Sequence, residues 1–484
     1  MLLTELVEGL DVLEIKGDIH IDIDGVAYDS RKVKKRYVFV CIDGTVADGH
    51  EYAAQALDNG AAALITQKDL TLPAGIPVVR TPDTRTALAY ISDKFYGHLT
   101  SRFSLTGITG TKGKTTTSFM VKSILEASMR KVGLIGTLGT RIGDRTLHTG
   151  RTTPESLDLQ ELFIQMVEEG VDDVVMEVSS QGLALKRVSF CEFDAGVFTN
   201  LSRDHISPTE HASMEEYLAA KCLLFKTCKK GLVNADSKYA EHVIRESKCR
   251  VLTYGIDNDA DIRAVNIKKH PQSVEFDIIS PWYGGRMKVN IPGKFSIYNA
   301  LAAAGVGGLR GIPRDAVKAG LERVQVPGRV ELVHTGRDFN VIIDYAHTPD
   351  SLENILNTVK DYATGRVICV FGCGGDRDRS KRPMMGAISG RIADYTVITS
   401  DNPRTEDPES IIKEIEEGIK TTGGEYTCIC DRREAIRHAL TGAMPGDVVI
   451  LAGKGHETYQ QFGDKIIYFD EREVVRDILE EYSM

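Results

Sequence analysis

Residues 107–117 read Gly107-Ile108-Thr109-Gly110-Thr111-Lys112-Gly113-Lys114-Thr115-Thr116-Thr117, and no other segment constrains the fold as much. An alternating run from Phe103 to Ile108 precedes it and suits a strand. Apolar residues at Phe119, Met120, Ile124 and Leu125 follow it at helical spacing. Strand, glycine-rich loop, Lys-Thr and helix together make a phosphate-cradling P-loop. In such a loop the backbone N–H groups and the helix N-terminus face phosphate oxygens. Lys114 is placed to reach the terminal phosphates and Thr115 to put its hydroxyl on Mg²⁺. The general pattern asks for glycine five residues before Gly113, where Ile108 stands; Gly107 and Gly110 supply the flexibility instead. An ordinary strand-to-helix turn would account for the glycines, but not for Gly-Lys-Thr-Thr directly after a strand.

The chain has 484 residues, which suggests three domains at about 150 residues each. With 42% hydrophobic and 26% charged residues it has the composition of a soluble globular protein. A net charge of −10 and the lack of a large basic patch argue against nucleic acid as a partner. An anionic ligand must therefore be held by local Lys, Arg and backbone N–H groups. The acidic stretch Met1 to His20 is unlike a signal peptide. No apolar run approaches the ~20 residues of a membrane span. A cytoplasmic protein without a membrane partner is expected. Its nine cysteines are scattered apart from Cys428-Ile429-Cys430, which fits reduced thiols. Cys369, Cys373, Cys428 and Cys430 match no common zinc spacing.

The expected fold is α/β in three domains. Residues 1–98 form a small N-terminal α/β domain, with strands at Val38-Phe39-Val40 and Ala62 to Ile65 and a helix from Tyr52 to Leu57. Residues 99–327 form a central P-loop domain with a doubly wound, mostly parallel sheet. Arg250 to Val289 reads as an antiparallel edge of that sheet. Val326-Pro327-Gly328 reads as a hinge, and residues 328–484 as a C-terminal Rossmann-like α/β domain.

Further polar motifs stand at strand ends. Asp172 to Val178 is an apolar strand carrying Glu177, followed by Ser179-Ser180. A carboxylate at a strand end beside a P-loop reaches Mg²⁺, directly or through water; a capping Glu is the alternative. Phe198 leads into Asn200-Leu201-Ser202-Arg203-Asp204-His205, which suits metal binding or charge positioning as well as a solvated turn. Lys221 lies among Leu218, Leu224 and Phe225 on a strong helix. From that segment alone a snorkelling lysine is the better reading, although burial would lower its pKa and make the amine reactive.

In the third domain Val367 to Phe371 runs into Gly372-Cys373-Gly374-Gly375-Asp376-Arg377. Tyr395 to Thr399 runs into Asp401-Asn402-Pro403-Arg404, and Val448 to Leu451 into Gly453-Lys454-Gly455-His456-Glu457. Strand ends of a parallel sheet line one crevice. Arg377, Arg404, Lys454, Asp401, Asn402 and Glu457 would give it both signs of charge, which suits a zwitterion such as an amino acid. Gly372-x-Gly374-Gly375 lacks the third spaced glycine of a dinucleotide fingerprint. Asp376 to Arg382 is otherwise a solvated charged loop.

Taken together, these segments resemble the Mur ligase family, the ATP-dependent amino-acid ligases of peptidoglycan precursor synthesis. The matching motifs span nearly the whole chain. They are Gly110 to Thr116, Thr152-Thr153-Pro154-Glu155, Glu177-Val178-Ser179-Ser180, Asn200 to His205, Pro292-Gly293 with Asn299, Pro327-Gly328-Arg329-Val330-Glu331, and Asp344-Tyr345-Ala346-His347-Thr348-Pro349. The resemblance implies that Gly110, Thr111, Lys112, Gly113, Lys114, Thr115 and Thr116 hold ATP as co-substrate. It adds Asn299, Arg329 and Asp344 as contacts to adenine, phosphate and ribose. It implies Mg²⁺ held by Thr115, Glu177, His205 and Lys221, the lysine as a carbamate, which reverses the snorkelling reading. Lys114, Lys221, His205 and Glu177 would form the catalytic set. Ser30, Thr152, Thr153, Ser179 and Arg187 would hold a UDP-sugar peptide. Arg377, Asp401, Asn402, Arg404, Gly453 and Glu457 would hold the incoming amino acid. Three features depart from the family pattern: Lys35-Arg36 replaces Pro-Gly, Leu185 stands where a Gln is frequent, and Ile206 to His211 rewrites a loop.

The implied reaction has two steps. A carboxylate of UDP-N-acetylmuramoyl-L-alanyl-D-glutamate attacks the γ-phosphorus of ATP to form an acyl phosphate, and an amine then displaces phosphate. Closure about Pro327-Gly328 would deliver the amine and exclude water. Arg404 offers a fork that binds a carboxylate in two places. Meso-diaminopimelate has a distal carboxylate for it, whereas lysine would bring a like charge. Diaminopimelate is therefore the expected amino acid, and a monomer acting on small molecules the expected form. Addition of L-lysine, a folylpolyglutamate synthase-like ligase, and a P-loop switch without ligation are the alternatives.

Overall fold

The computed structural model describes residues 1–44, 47–204, 206–207 and 210–481. The chain divides into two compact units. One takes Met1–Arg263, Ile279–Gly284 and Tyr298–Gly320; the other takes Ala264–Ile278, Gly285–Ile297 and Leu321–Met484.

The first unit holds two sheets. The smaller has five strands in the order Glu14–Lys16, Val78–Arg80, Ala61–Thr66, Tyr37–Val40, Gly25–Ala27. Its outermost pairing with Glu14–Lys16 is antiparallel and the others are parallel. Val38, Val40, Ala63, Ile65 and Val79 form its core with Ala87, Leu88 and Ile91 of the helix Thr84–Tyr96. That helix starts where the Asp83 side chain accepts from Arg85 N and stops at Gly97, whose φ of 77° favours glycine. The expected helix begins as the short turn Gly49–Tyr52 and continues as Ala53–Asp58.

The parallel part of the larger sheet in this unit runs, in spatial order, Arg250–Gly255, Lys230–Asn234, Ala195–Phe198, Ser104–Thr109, Asp173–Glu177 and Val132–Gly136. Ser104–Thr109 is buried at every residue, as the central strand of a sheet covered on both faces should be. The chain leaves it towards Val132–Gly136 and later returns on its other side as Ala195–Phe198. Its carboxyl end, which carries the P-loop, is therefore the topological switch point where ligands bind. The expected antiparallel edge over Arg250 to Val289 is corrected at its start. Arg250–Gly255 pairs parallel with Lys230–Asn234, and Ile262 lies in parallel register beside Tyr254. The helix Ala240–Glu246 supplies the crossover that a parallel return needs. The later part keeps the expected edge: Ile262–His270, Ser273–Ile279 and Gly284–Val289 are successive neighbours joined by hairpin-length links. Antiparallel strands also lie at Gly139–Ile142 and Arg145–Leu147.

In the second unit six strands follow the order Glu331–Val333, Asn340–Asp344, Val448–Ala452, Val367–Phe371, Tyr395–Ile398, Tyr426–Cys428. Only the first pairing is antiparallel. Val341, Ile343, Val370, Val449 and Leu451 form the core with Ile436 and Val475 from helices. A fully buried ion pair joins Arg432 to Glu471 at 2.7 Å. Arg432 also donates to the carbonyls of Ser400 and Ala452 at the ends of two strands.

Candidate functional site

The P-loop joins the strand Ser104–Thr109 to the helix Lys114–Ala127. Gly110 and Gly113 have φ of 147° and 85°, which explains why glycine occupies both positions. A Cβ on Gly113 would come within 2.6 Å of Asn299 Oδ1. Asn299 in turn accepts from Thr117 Oγ1 at 3.2 Å, so the residue expected at adenine is packed onto the phosphate loop. Lys114 Nζ donates to the carbonyls of Gly110 and Thr111 at 2.9 and 3.1 Å. Lys112 N donates to Asn200 Oδ1, and Lys112 Nζ pairs with Asp204 at 3.4 Å. Thr111 Oγ1 meets Tyr217 OH at 3.1 Å, and Thr116 is buried.

Thr115 and Glu177 meet at the helix start. Thr115 Oγ1 donates to Glu177 Oε2 at 3.0 Å. Thr137, which the sequence reading passed over, donates to the same carboxylate through both its N–H and its hydroxyl. Lys221 is 1% exposed, so it does not snorkel. Its amine donates to Gly110 O at 3.0 Å and lies 4.4 Å from the centroid of the Tyr217 ring. Burial, with the neighbouring Lys114 charge second, holds its pKa well below the ordinary lysine range. Tyr217 precedes Lys221 by one helical turn, so spacing alone could have pointed to it. His205 lies outside the described residues. Among the described residues no group of three or more His, Cys, Asp and Glu side chains converges as a metal cluster. Thr115 Oγ1 and the Glu177 carboxylate are nevertheless hard oxygen donors of the kind Mg²⁺ takes.

Next to Glu177 lie four of the five residues expected at the UDP-sugar peptide. Thr153 Oγ1 donates to Glu177 O at 2.9 Å and to Ser179 Oγ at 3.1 Å. Thr152 Oγ1 is 3.1 Å from Thr137 Oγ1. Arg187 donates to Thr153 O and to Glu155 Oε1. Burial lowers the Arg187 pKa, and Glu155 counters that. The fifth, Ser30, sits in the small sheet's domain, where its hydroxyl donates to Gln55 Oε1 at 2.8 Å. Another residue without a role in the sequence reading is His211, which is 1% exposed and 2.8 Å from Ser180 Oγ.

In the second unit Arg329 lies 4.7 Å from the Tyr345 ring centroid, and Asp344 accepts from Val330 N at 2.8 Å. At the strand ends, Asn402 Nδ2 donates to Glu457 Oε2 at 2.8 Å. Lys454, fully buried, donates to Asn402 Oδ1 and Glu457 Oε2. Burial raises the pKa of Glu457. Asp401 Oδ2 would touch a Cβ on Gly453, whose φ is 114°. Arg404 Nη1 donates to Gly375 O at 2.6 Å, which tethers one end of the guanidinium. Arg377 is exposed beside this group and donates to Asp376 O.

The chain matches three family descriptions in order: "Mur ligase family, catalytic domain" over residues 22–96, "Mur ligase middle domain" over 108–307, and "Mur ligase, glutamate ligase domain" over 328–455. It is 53% identical over 482 residues to the UDP-N-acetylmuramoyl-L-alanyl-D-glutamate–2,6-diaminopimelate ligase of Caldanaerobacter subterraneus subsp. tengcongensis, covering 99% of each chain. The protein of the same name from Alkaliphilus metalliredigens is 47% identical over 489 residues, covering 100% of this chain and 99% of its own. A solved structure titled with that ligase's name is 30% identical, with a TM-score of 0.75 over 100% of this chain and 99% of that one.

Proposed function

The chain belongs to the Mur ligase family, and on that premise we propose that it joins 2,6-diaminopimelate to UDP-N-acetylmuramoyl-L-alanyl-D-glutamate at the expense of ATP. The observation that carries this reading is the side-chain cluster at the strand ends of the second unit. There Arg404, Lys454, Asn402 and Glu457 set cationic and anionic groups side by side. A substrate with an amino group and a distal carboxylate needs both.

In this reading residues 1–98 and the Thr152, Thr153, Ser179 and Arg187 group hold the acceptor. Residues 99–327 hold ATP and residues 328–484 the amino acid. The Gly110–Thr116 backbone and Lys114 cradle the phosphates, with Asn299, Arg329 and Asp344 as further nucleotide contacts. Thr115, Glu177, His205 and a carbamate on Lys221 would hold Mg²⁺, which when bound neutralises phosphate charge. The depressed basicity of Lys221 favours the unprotonated amine that CO₂ requires. Lys114 and Arg329 would add fixed positive charge as phosphoryl transfer proceeds. Arg404 would hold the distal carboxylate and Glu457 an ammonium, leaving the reacting amine oriented for attack. No described helix is long and apolar enough to cross a membrane. A cytoplasmic monomer acting on small molecules remains our expectation. The match over residues 22–96 argues against a folylpolyglutamate synthase-like acceptor.

The test is phosphate release with ATP, Mg²⁺ and UDP-N-acetylmuramoyl-L-alanyl-D-glutamate, comparing meso-diaminopimelate with L-lysine. Turnover that requires both acceptor and diaminopimelate supports the reading. Turnover with lysine in place of diaminopimelate discards the cluster argument, and phosphate release without acceptor or amino acid points to a switch.

A further inference from the structure

Of the site residues in the second unit, Arg377, Asp401, Asn402 and Arg404 stand on two loops, Gly372 to Arg377 and Asp401 to Glu406. A buried guanidinium joins these loops. Arg382, on the helix Lys381–Ile392, is 0% exposed. Its two terminal nitrogens donate to both oxygens of Glu406, at 2.7 and 2.9 Å, a fork-to-carboxylate pair. Nη2 also reaches Gly374 O at 3.4 Å, and Nη1 donates to Glu414 Oε2 at 2.9 Å. Glu406 Oε1 then accepts from Asp376 N at 2.7 Å. One guanidinium thus holds the second loop through Glu406 and the first loop both directly and through that carboxylate. Three more bonds close the seam: Gly375 N to Asn402 O, Thr405 Oγ1 to Asp376 Oδ1, and Arg404 Nη1 to Gly375 O. Asp376 and Arg404 have φ of 53° and 51°, left-handed conformations that non-glycine residues keep only under constraint.

We propose that Arg382 and Glu406 are positioning residues that set the spacing of the two loops and thereby the preference for an amino acid with a distal carboxylate. The inference rests on the diaminopimelate reading given above. A bidentate contact tolerates little misplacement, so loosening the seam should cost a substrate that uses the Arg404 fork more than one that does not. The Arg382 pair holds Glu406 down at about 2, so the carboxylate stays ionised throughout the working range.

Glu406→Gln is nearly isosteric and probes the same pair if Arg382→Lys fails to fold. Steady-state kinetics on both variants should show KM for diaminopimelate raised by about tenfold or more, with KM for ATP and for the UDP-sugar dipeptide within about twofold of wild type. The ratio of kcat/KM for diaminopimelate over L-lysine should fall by a similar factor. Glu414→Gln removes the Arg382 partner that touches neither loop. It should lower the melting temperature and leave the diaminopimelate KM within about twofold. The proposal is overturned if all three KM values move together, if the diaminopimelate KM is unchanged, or if Glu414→Gln reproduces Glu406→Gln. A wild-type enzyme that ignores diaminopimelate overturns the functional reading itself, a result seen before any variant is made.

Discussion

Lys221 shows how one residue can carry chemistry that its own segment hides. Its neighbours in sequence are apolar, and a snorkelling side chain would satisfy them. The fold instead turns the amine onto the Gly110 carbonyl and the Tyr217 ring. The Tyr217 ring is one turn away on the same helix, but the Gly110 carbonyl comes from a loop distant in sequence, and no local pattern encodes that contact. Activity should fall in CO₂-depleted buffer and return with bicarbonate, while Lys221→Ala should lose about a hundredfold or more and not respond to bicarbonate. Phosphate-release rates with and without bicarbonate check this. Arg404 was readable as a carboxylate fork, but its tether to Gly375 was not, because it needs the paired loop. Glu457 offers a pH test. Burial is the main cause of its raised pKa, so the folded state retains this proton above the ordinary value of about 4.3. Stability from this group is then fully present at low pH and is lost as pH rises through the folded pKa. Glu457→Gln removes that dependence. The melting temperature of the variant relative to wild type should be higher at pH 7 than at pH 4.5, as calorimetry at the two values would show.

Elements were easier to read than the way they pair. The buried strands Ser104–Thr109, Val367–Phe371 and Val448–Ala452 appear where apolar runs stop at polar motifs. Strand direction does not appear in such runs. Alternation over Arg250–Gly255 suits either direction, and the crossover Ala240–Glu246 decides for parallel. The P-loop joins element to function through backbone conformation. Gly113→Ala would place a Cβ on a left-handed residue and against Asn299. About 1–2 kcal/mol of stability should be lost from the conformation alone. KM for ATP should rise more than KM for the amino acid, which substrate titrations against a denaturation curve can separate.

At the scale of the whole molecule the chain passes between its two units five times, at 263/264, 278/279, 284/285, 297/298 and 320/321. The second unit therefore includes residues well upstream of Gly328. Lys269 pairs with Asp361 at 2.5 Å, and a Cβ on Gly293 would meet Thr358. A fragment of 328–484 should exchange the amides of the helix Pro349–Lys360 about tenfold or more faster than the full chain, with the Val448–Ala452 strand less affected, as hydrogen exchange would report. This interlacing was not legible in the sequence, where Pro327-Gly328 is the conspicuous break. The buried pair of Arg432 and Glu471 has a consequence in time. Translation produces Glu471 thirty-nine residues after Arg432. Until then a cation that closes the ends of two strands has no carboxylate to enter the core with, and breaking such a pair costs about 3–5 kcal/mol. Every strand of the six-stranded sheet precedes Glu471 in the chain, so the partner that lets this cation be buried is the one part made after the sheet itself.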